Sequence, residues 1–306
     1  MASFEAGVLW GVNGIYTVEA EGRTFRCRIK GKVLKVEERE HGALAVGDRV
    51  ECLPDPVSPD VGWIVSRLPR RTRLSRWKRR DGAEQVIAAN ADILACVASA
   101  HEPPFRPRFL DRLLIAGLSG GLSPLVILNK IDTGVEPEIL ERLRQYRSLG
   151  YGVHFCSVKT GEGIRELEGL FLGRTAVLAG QSGVGKSSLL NSFDAALMQK
   201  TGGISAKHDR GCHTTTYGRL FVLPSGARVI DTPGVREIQP AGIAPEDLAG
   251  HFPEFAALAP SCLLGSCLHD GEPGCAVRAA AESGAVHEDR YESYLRILYE
   301  LRDEST

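Results

Sequence analysis

Short apolar runs broken by Gly, Asp and Pro recur along the chain, and their character changes about a quarter of the way in. Residues 25–30 alternate, placing Phe25, Cys27 and Ile29 on one face and Arg26, Arg28 and Lys30 on the other. Similar short runs at residues 8–10, 15–18, 47–52 and 62–65 give five strand-like segments. That number in so short a stretch suits a small closed barrel such as an OB-fold. Farther on, the runs at 125–128, 153–156 and 175–179 are continuously apolar, the pattern of parallel strands buried on both faces. Residues 187–193 have helical spacing, as do Tyr291, Tyr294, Leu295, Leu298 and Leu301, a stripe that reads as core packing. The expected fold class is multidomain. An N-terminal β-barrel spans 1–70, a basic linker 71–80, a central α/β domain 81–236 and a mainly helical C-terminal domain 237–306.

The chemistry sits at the ends of the apolar runs. Gly180-Gln181-Ser182-Gly183-Val184-Gly185-Lys186-Ser187 fits G-x-x-x-x-G-K-[ST], a loop whose N–H groups cradle phosphates. It follows the run 175–179 and opens a helical segment beginning Ser187-Ser188, so a helix N-terminus lies under the phosphates. Lys186 then reaches the β- and γ-phosphates, and Ser187 binds Mg²⁺. Asp231 ends the run 228–231 and precedes Thr232-Pro233-Gly234, which places its carboxylate on the metal, usually through water, and the Gly234 N–H near the γ-phosphate. Between them, His213-Thr214-Thr215-Thr216 lies in a polar, Gly-rich stretch that reads as a mobile loop. Its hydroxyls, Thr215 among them, are candidates for the second switch contact to Mg²⁺.

Asn129-Lys130-Ile131-Asp132 follows the run 125–128, and Asp132 can accept from the N1 and N2 donors of guanine, a pair that adenine lacks. Ser157-Val158-Lys159 follows 153–156 and has the form of the remaining base-side loop. Each fragment alone is weak. Five together, each after a strand, specify a GTP site. The order is reversed, however: the base motif precedes the phosphate loop, so the domain reads as a circularly permuted GTPase.

With 306 residues, 43% hydrophobic and 25% charged, the chain is an ordinary globular protein of two or three domains. It shows no basic-then-apolar leader and no apolar run of membrane-spanning length, so the expectation is a cytoplasmic protein without a membrane partner. The net charge of −1 is uneven. Residues 1–80 carry 16 Lys/Arg against 10 Asp/Glu, whereas 236–306 carry 5 against 13. The two ends should therefore meet different partners. The Arg26/Arg28/Lys30 stripe is either a nucleic-acid platform or a solvated basic edge that prevents aggregation. Seven of the eleven residues 70–80 are basic (Arg70, Arg71, Arg73, Arg76, Lys78, Arg79 and Arg80), with Trp77 among them. That density favours contact with a phosphate backbone. Eight cysteines without a secretory context argue for thiols or metal. Cys262-x₄-Cys267-x-His269-x₅-Cys275 provides a Cys₃His set for one structural zinc.

A basic barrel, then NKID, SVK-TGEG, GQSGVGKSSL, HTTT and DTPG in permuted order, then the Cys₃His spacing, resembles the RsgA (YjeQ/YloQ) family over nearly the whole chain. Residues 85–92, which open the permuted domain, share the resemblance. It implies a bacterial GTPase that cleaves the β–γ phosphoanhydride, binds the small (30S) ribosomal subunit and its rRNA late in assembly, is stimulated by it, and leaves after hydrolysis. None of this follows from composition or spacing. Two positions depart from the family pattern. Cys212 stands before His213 where a polar or basic residue is expected, and the zinc region is strongly acidic, so protein contact or packing competes there with RNA binding.

Val235 follows Gly234, so the glutamine that orients water in Ras-like enzymes is missing. The resemblance offers His213 for that task, with RNA or solvent contact as its alternative role. The expected catalytic set is His213, Lys186 and Thr215, acting on GTP with Mg²⁺ in a monomer. The segment after Gly234 leads into the C-terminal region, a route by which switch movement can reach it. Two other readings compete: a permuted GTPase of the large subunit, and a GTP-responsive RNA-binding module in which hydrolysis is incidental.

Overall fold

The computed structural model describes residues 2–34, 42–79, 81–194, 218–232 and 238–305, and the structural statements here concern those residues. Five strands, β1 (Phe4–Val12), β2 (Ile15–Ala20), β3 (Arg23–Ile29), β4 (Arg49–Pro54) and β5 (Val61–Arg67), close into a barrel in the order β1-β2-β3-β5-β4. Strand β1 pairs with β4 to complete it, and β3 runs parallel to β5. Closure removes the sheet edges that would otherwise invite association. The alternation in β3 behaves as its sequence dictates: Cys27 is fully buried with Val8, Val18, Val50, Cys52 and Ile64, while Arg26 and Arg28 face out.

The basic segment after the barrel is not a linker. Residues Arg73–Lys78 form β6, paired antiparallel with β7 (Ala83–Ala89). Its apolar residue Leu74 is fully buried in the core of the α/β unit, which fixes the hairpin to the body of the protein. The expected linker is thus corrected to an anchored hairpin.

The central sheet has six strands: β8 (Ile93–Ser99), β9 (Ser123–Asn129), β10 (Gly152–Phe155), β11 (Thr175–Gly180), β12 (Arg219–Val222) and β13 (Arg228–Asp231), in the order β10-β9-β8-β11-β13-β12. Only β12 is antiparallel to its neighbour. Helices α1 (Pro107–Ser119) and α2 (Pro137–Ser148) cover Leu94, Cys96, Val126, Leu128 and Val177 on one face. Helices α3 (Ile164–Phe171) and α4 (Lys186–Phe193) cover Ile93, Ala95, Ile127, Ala176 and Leu178 on the other. Burial on both faces is why these strands read as unbroken apolar runs. The chain steps outward from β8 to β10 and then returns to β11, so the strand order reverses between β8 and β11. Ligands of open α/β sheets bind at the carboxyl ends of the strands at such a reversal.

The C-terminal region adds α5 (Pro253–Leu258), α6 (Ala276–Glu282) and α7 (Glu288–Ser305) around Phe252, Phe255, Tyr294 and Leu298, and this core extends to Ile115 of α1. A buried polar hub ties the two units together. The fully buried Asp111 of α1 accepts from Arg142 at 3.1 Å, Tyr146 at 2.7 Å, Arg290 at 2.8 Å and Ser293 at 2.7 Å. Arg290 also pairs with Glu254 at 2.7 Å. Removing one member of such a cluster strands the others in a low-dielectric interior. Asp111→Ala is therefore expected to cost about 3–5 kcal/mol of stability, read as a shift in the denaturant midpoint. A loss near zero would show that the hub is solvated or redundant.

Candidate nucleotide and metal sites

Strands β11, β9 and β13 deliver the phosphate-loop, base-reading and metal-side residues to one edge of the sheet. Gly180 ends β11 against β8, where a Cβ would collide with the Val97 carbonyl, so only glycine lets the loop turn there. Gly185 caps α4 with φ +98°, and a Cβ there would run into the Asn129 amide. Ser187 and Ser188 are exposed on the first turn of α4, while Gln181, Ser182 and Gly183 form the loop before it. The free N–H groups and dipole of that helix terminus make it attractive to anions.

Asn129 joins the two motifs. It is 1% exposed, donates from Nδ2 to the Val184 carbonyl at 2.9 Å, and accepts at Oδ1 from the Val158 N–H at 3.3 Å. Lys130, in a left-handed conformation at φ +65°, donates to the Gly183 carbonyl at 2.8 Å and to the Glu102 carbonyl. Base-side and phosphate-side loops are thus stitched together by one Asn–Lys pair. Asp132 accepts from Ser157 Oγ at 2.6 Å and lies 3.4 Å from Lys159 Nζ. The Ser157 hydrogen bond, with help from Lys159, holds the Asp132 carboxyl below its ordinary range and keeps it an ionised acceptor.

At the phosphate end, the buried Lys186 donates to the carbonyls of Gly180 at 2.7 Å and Gln181 at 2.8 Å. Burial pushes its ammonium down, while nearby Asp231 pulls it back up. Burial likewise raises the Asp231 carboxyl, and Lys186 partly offsets that. The pair presents one cation and one anion in a dry corner at the end of β11 and β13. Beside it, Thr232 Oγ1 donates to the Leu178 carbonyl at 2.7 Å, tying the start of the DTPG segment to β11. His213, Thr215 and Gly234 lie outside the described residues. A cleft of about 620 Å³ opens over Asn129, Lys130, Asp132, Lys159, Gly185 and Ser188.

His101 and Glu102 also line that cleft, and sequence reasoning missed them. They follow β8, whose place beside β11 is a property of sheet order. The signal available was a buried strand ending in a polar His-Glu-Pro-Pro turn. His101 holds the base-side loop, with Nε2 3.1 Å from the Gly134 carbonyl and Nδ1 3.6 Å from Glu136.

The ligand atoms of Cys262, Cys267, His269 and Cys275 all lie within 4.8 Å of one another, so this set can hold a metal ion. Donors at tetrahedral zinc distances sit roughly 3.3–3.8 Å apart, and His269 Nδ1 lies 3.6 Å from Cys262 Sγ and 3.4 Å from Cys275 Sγ. Burial lowers the His269 pKa, favouring the neutral ligand form. The loop is held from outside by Tyr291 and Tyr294, whose hydroxyls donate to the carbonyls of His269 and Leu268, each at 2.7 Å. The aromatic stripe of α7 is therefore core packing, as its spacing suggests, with two hydroxyls that also orient the metal loop.

The basic residues divide into two groups. Arg26, Arg28 and Lys30 are exposed on the barrel. In the hairpin segment, Arg70 is spent on buried Asp48 at 2.7 Å, Arg71 pairs with Asp92 at 2.7 Å, Arg73 with Glu84 at 3.1 Å and Lys78 with Asp81 at 2.9 Å. Arg76 bonds Gln85, and Arg79 bonds Gln239, each at 3.1 Å. Arg80 lies outside the described residues. The Gln239 carbonyl also accepts from the Trp77 N–H at 3.0 Å. At residue 239 the chain is thus bonded to the basic hairpin.

A permuted phosphate-loop domain with a guanine-type base motif, between a five-stranded barrel and a Cys₃His unit, defines the class: a circularly permuted GTPase. The RsgA GTPase family model matches residues 67–241, and the chain belongs to that family. A relative from Chlorobaculum tepidum, named small ribosomal subunit biogenesis GTPase RsgA, is 41% identical over 97% of this chain and 98% of its own. One from Moorella thermoacetica with the same name is 40% identical over 97% of each. Among solved structures, YjeQ from Thermotoga maritima is similar with a TM-score of 0.73 at 31% identity, covering 98% of this chain and 99% of that one. YloQ, described as a circularly permuted GTPase, gives 0.72 at 28% identity, covering 99% and 96%. The protein is a GTP hydrolase.

Asn129→Ala removes the link between the two loops and leaves the Val184 carbonyl and Val158 N–H without it. At about 1–3 kcal/mol per buried unpaired group, GTP affinity is expected to fall roughly 10- to 100-fold by calorimetric titration. Unchanged affinity would mean that the loops are held by other contacts.

Proposed function

We propose that this GTPase binds the small ribosomal subunit and its rRNA, assists late maturation of that subunit, and couples subunit-stimulated hydrolysis to its own release. The single observation carrying this reading is the near-complete alignment with relatives named for small-subunit biogenesis, embracing barrel, permuted GTPase and metal unit together. In this reading the work is done in the cytoplasm by a single chain. Among the described residues no helix is long and apolar enough to cross a membrane.

In this reading the N–H groups of Gly180 through Ser188 hold the phosphates, and Lys186 exchanges its two loop carbonyls for β- and γ-phosphate oxygens. Asp132, kept ionised by Ser157 and flanked by Lys159, reads the guanine N1 and N2 donors. Ser157, Val158 and Lys159 close the base side, while Asn129 and Lys130 hold the two halves of the pocket in register. Ser187, Asp231 and Thr215 hold Mg²⁺, which when bound neutralises charge developing on the phosphates. His213 orients the attacking water, a task with no glutamine available after Gly234. The γ-phosphate approaches the Gly234 N–H, so cleavage frees the segment that leads through Gln239 to the basic hairpin. Hydrolysis and the grip on rRNA are thereby joined through Trp77, Arg79 and Gln239.

Cys262, Cys267, His269 and Cys275 hold one structural zinc, which when bound cross-links a loop-rich segment. Elemental analysis of protein purified without chelator should give one zinc per chain. Cys275→Ser should lose it and become protease-sensitive beyond residue 245 while retaining GTP binding. Full metal content in that variant would remove Cys275 from the ligand set.

The function is tested by GTP turnover with purified small and large subunits. Turnover should rise at least about tenfold with the small subunit and stay at the basal rate with the large one. His213→Ala should keep GTP and subunit binding but lose roughly 10²-fold of the stimulated rate, as for a general acid–base or water-positioning group. Equal stimulation by both subunits, or by neither, would overturn the reading. Normal stimulated turnover in His213→Ala would move the water-positioning role elsewhere.

A further inference from the structure

Strand β1 breaks its own alternation. Ala6 and Val8 point into the barrel core, yet Leu9 and Trp10 both leave it and pack on the core of the central sheet with Leu220 and Ile230. The cause is a register shift: Val8 pairs with Val18 but Trp10 with Thr17, so Leu9 is the extra residue of a β-bulge. A bulge re-aims the side chains that follow it. With strict alternation Trp10 would turn back into the barrel.

On the sheet Trp10 meets Arg219, whose guanidinium lies 4.1 Å from its ring centre and 5.1 Å from that of Phe221. Burial pushes this guanidinium down with no carboxylate to pull it back, and among the described residues its buried Nε has no acceptor. A residue that only covered the sheet edge would be less costly there as an apolar side chain. The position of Arg219 shows what the cation is tied to. It opens β12, and in the β12–β13 ladder it stands directly opposite Asp231. Gly218 before it also touches the barrel side: a Cβ there would lie 3.6 Å from Val46, in the loop leading to β4, and 3.1 Å from the Asp231 carbonyl. At the other end of the same two strands, Arg228 bonds Glu19 of β2 at 3.0 Å. The barrel thus grips the strand pair twice, and one grip is beside the metal-side carboxylate.

We propose that Arg219, held on Trp10, is a positioning residue for Asp231: the barrel fixes this end of the ladder and so sets where the Asp231 carboxylate meets Mg²⁺. The effect passes through the backbone, because residues directly opposed on antiparallel strands lie only about 5 Å apart. Freeing Arg219 lets β12 fray at that pair, while Leu220 and Ile230 stay buried in the sheet core. Mg²⁺ demands near-ideal octahedral geometry, so a small drift of a carboxylate weakens it. The proposal rests on the reading of Asp231 as a Mg²⁺ contact and adds the residues that place it.

The test follows GTP turnover by the full-length protein, without subunit, against Mg²⁺ concentration. Arg219→Ala should raise the Mg²⁺ concentration for half-maximal turnover about 2- to 30-fold, the range for losing one cation–π contact. GTP affinity with Mg²⁺ withheld should not change, because the base loop follows β9, separated from β13 by β8 and β11. Trp10→Leu should give the same shift, and the double variant no more than either alone. Arg219→Lys, which keeps a cation for the ring, should stay within about twofold of wild type. If Arg219→Ala fails to fold, Arg219→Met, long and apolar but uncharged, takes its place in the comparison with Arg219→Lys. Glu19→Gln removes the other grip and should leave the Mg²⁺ midpoint where it is.

A wild-type midpoint in Arg219→Ala or Arg219→Met would overturn the proposal. An equal shift in Glu19→Gln would do so too, since it would reveal a general loosening of the barrel. Shifts that add in the double variant would separate Arg219 from Trp10 and also count against it. Asp231→Asn distinguishes the two levels. A wild-type midpoint in that variant would reject the metal reading itself, whereas a shift there with none in Arg219→Ala would reject the positioning role alone.

Discussion

The buried Asn129 amide is the contact on which the nucleotide site depends. Circular permutation puts the base-reading strand β9 before the phosphate strand β11 in sequence, with β8 between them in the sheet. The two loops are therefore carried by strands that are not neighbours, and something must hold them in register. Asn129 does so by bonding Val184 on one side and Val158 on the other, and Lys130 adds a second tie to Gly183. The glycine at 185 is required by the same contact, because any side chain there would displace the amide. A change in connectivity thus leaves the site intact so long as this cross-tie survives.

The charges follow a similar economy. Most of the hairpin's basic residues are neutralised within the protein, and Arg70 is consumed by a carboxylate with no exposed surface. They position the hairpin against the barrel, the sheet and Gln239. Among the described residues, Arg26 and Arg28 on β3 and Lys30 just after it make no side-chain ion pair. The hairpin in turn connects the barrel, the central sheet and Gln239. The Asp111 hub performs the corresponding task at the other end, fixing the acidic Cys₃His unit to α1 and α2.

Sequence alone made the barrel, the buried parallel strands, the phosphate loop and the Cys₃His spacing legible, because each rests on local periodicity or close spacing. The stripe at 25–30 gave its inward and outward faces correctly, since a strand exposes alternation directly. Residues 70–80 misled: a dense basic run resembles a solvated linker, and its pairing with β7, together with Leu74 buried at its centre, is set by long-range contacts. The same limit hid His101 and Glu102, which reach the cleft only because β8 stacks beside β11. Asp111 and Asp48 carry no local signal in the sequence, because only the fold brings Arg142 and Arg290 to Asp111 and Arg70 to Asp48.

The account's central claim is that Asp132, in a loop locked to the phosphate site by Asn129, selects guanine. Its most direct test is the affinity of wild type and Asp132→Asn for GTP, ATP and xanthosine triphosphate, measured by titration with Mg²⁺ present. The account predicts that wild type binds GTP far more tightly than ATP. Asp132→Asn should lose roughly 10- to 150-fold for GTP, from about 1.5–3 kcal/mol for hydrogen bonds to a charged acceptor, and gain for the xanthosine nucleotide. Equal wild-type affinity for GTP and ATP, or an Asp132→Asn variant that binds GTP as well as wild type, would contradict it.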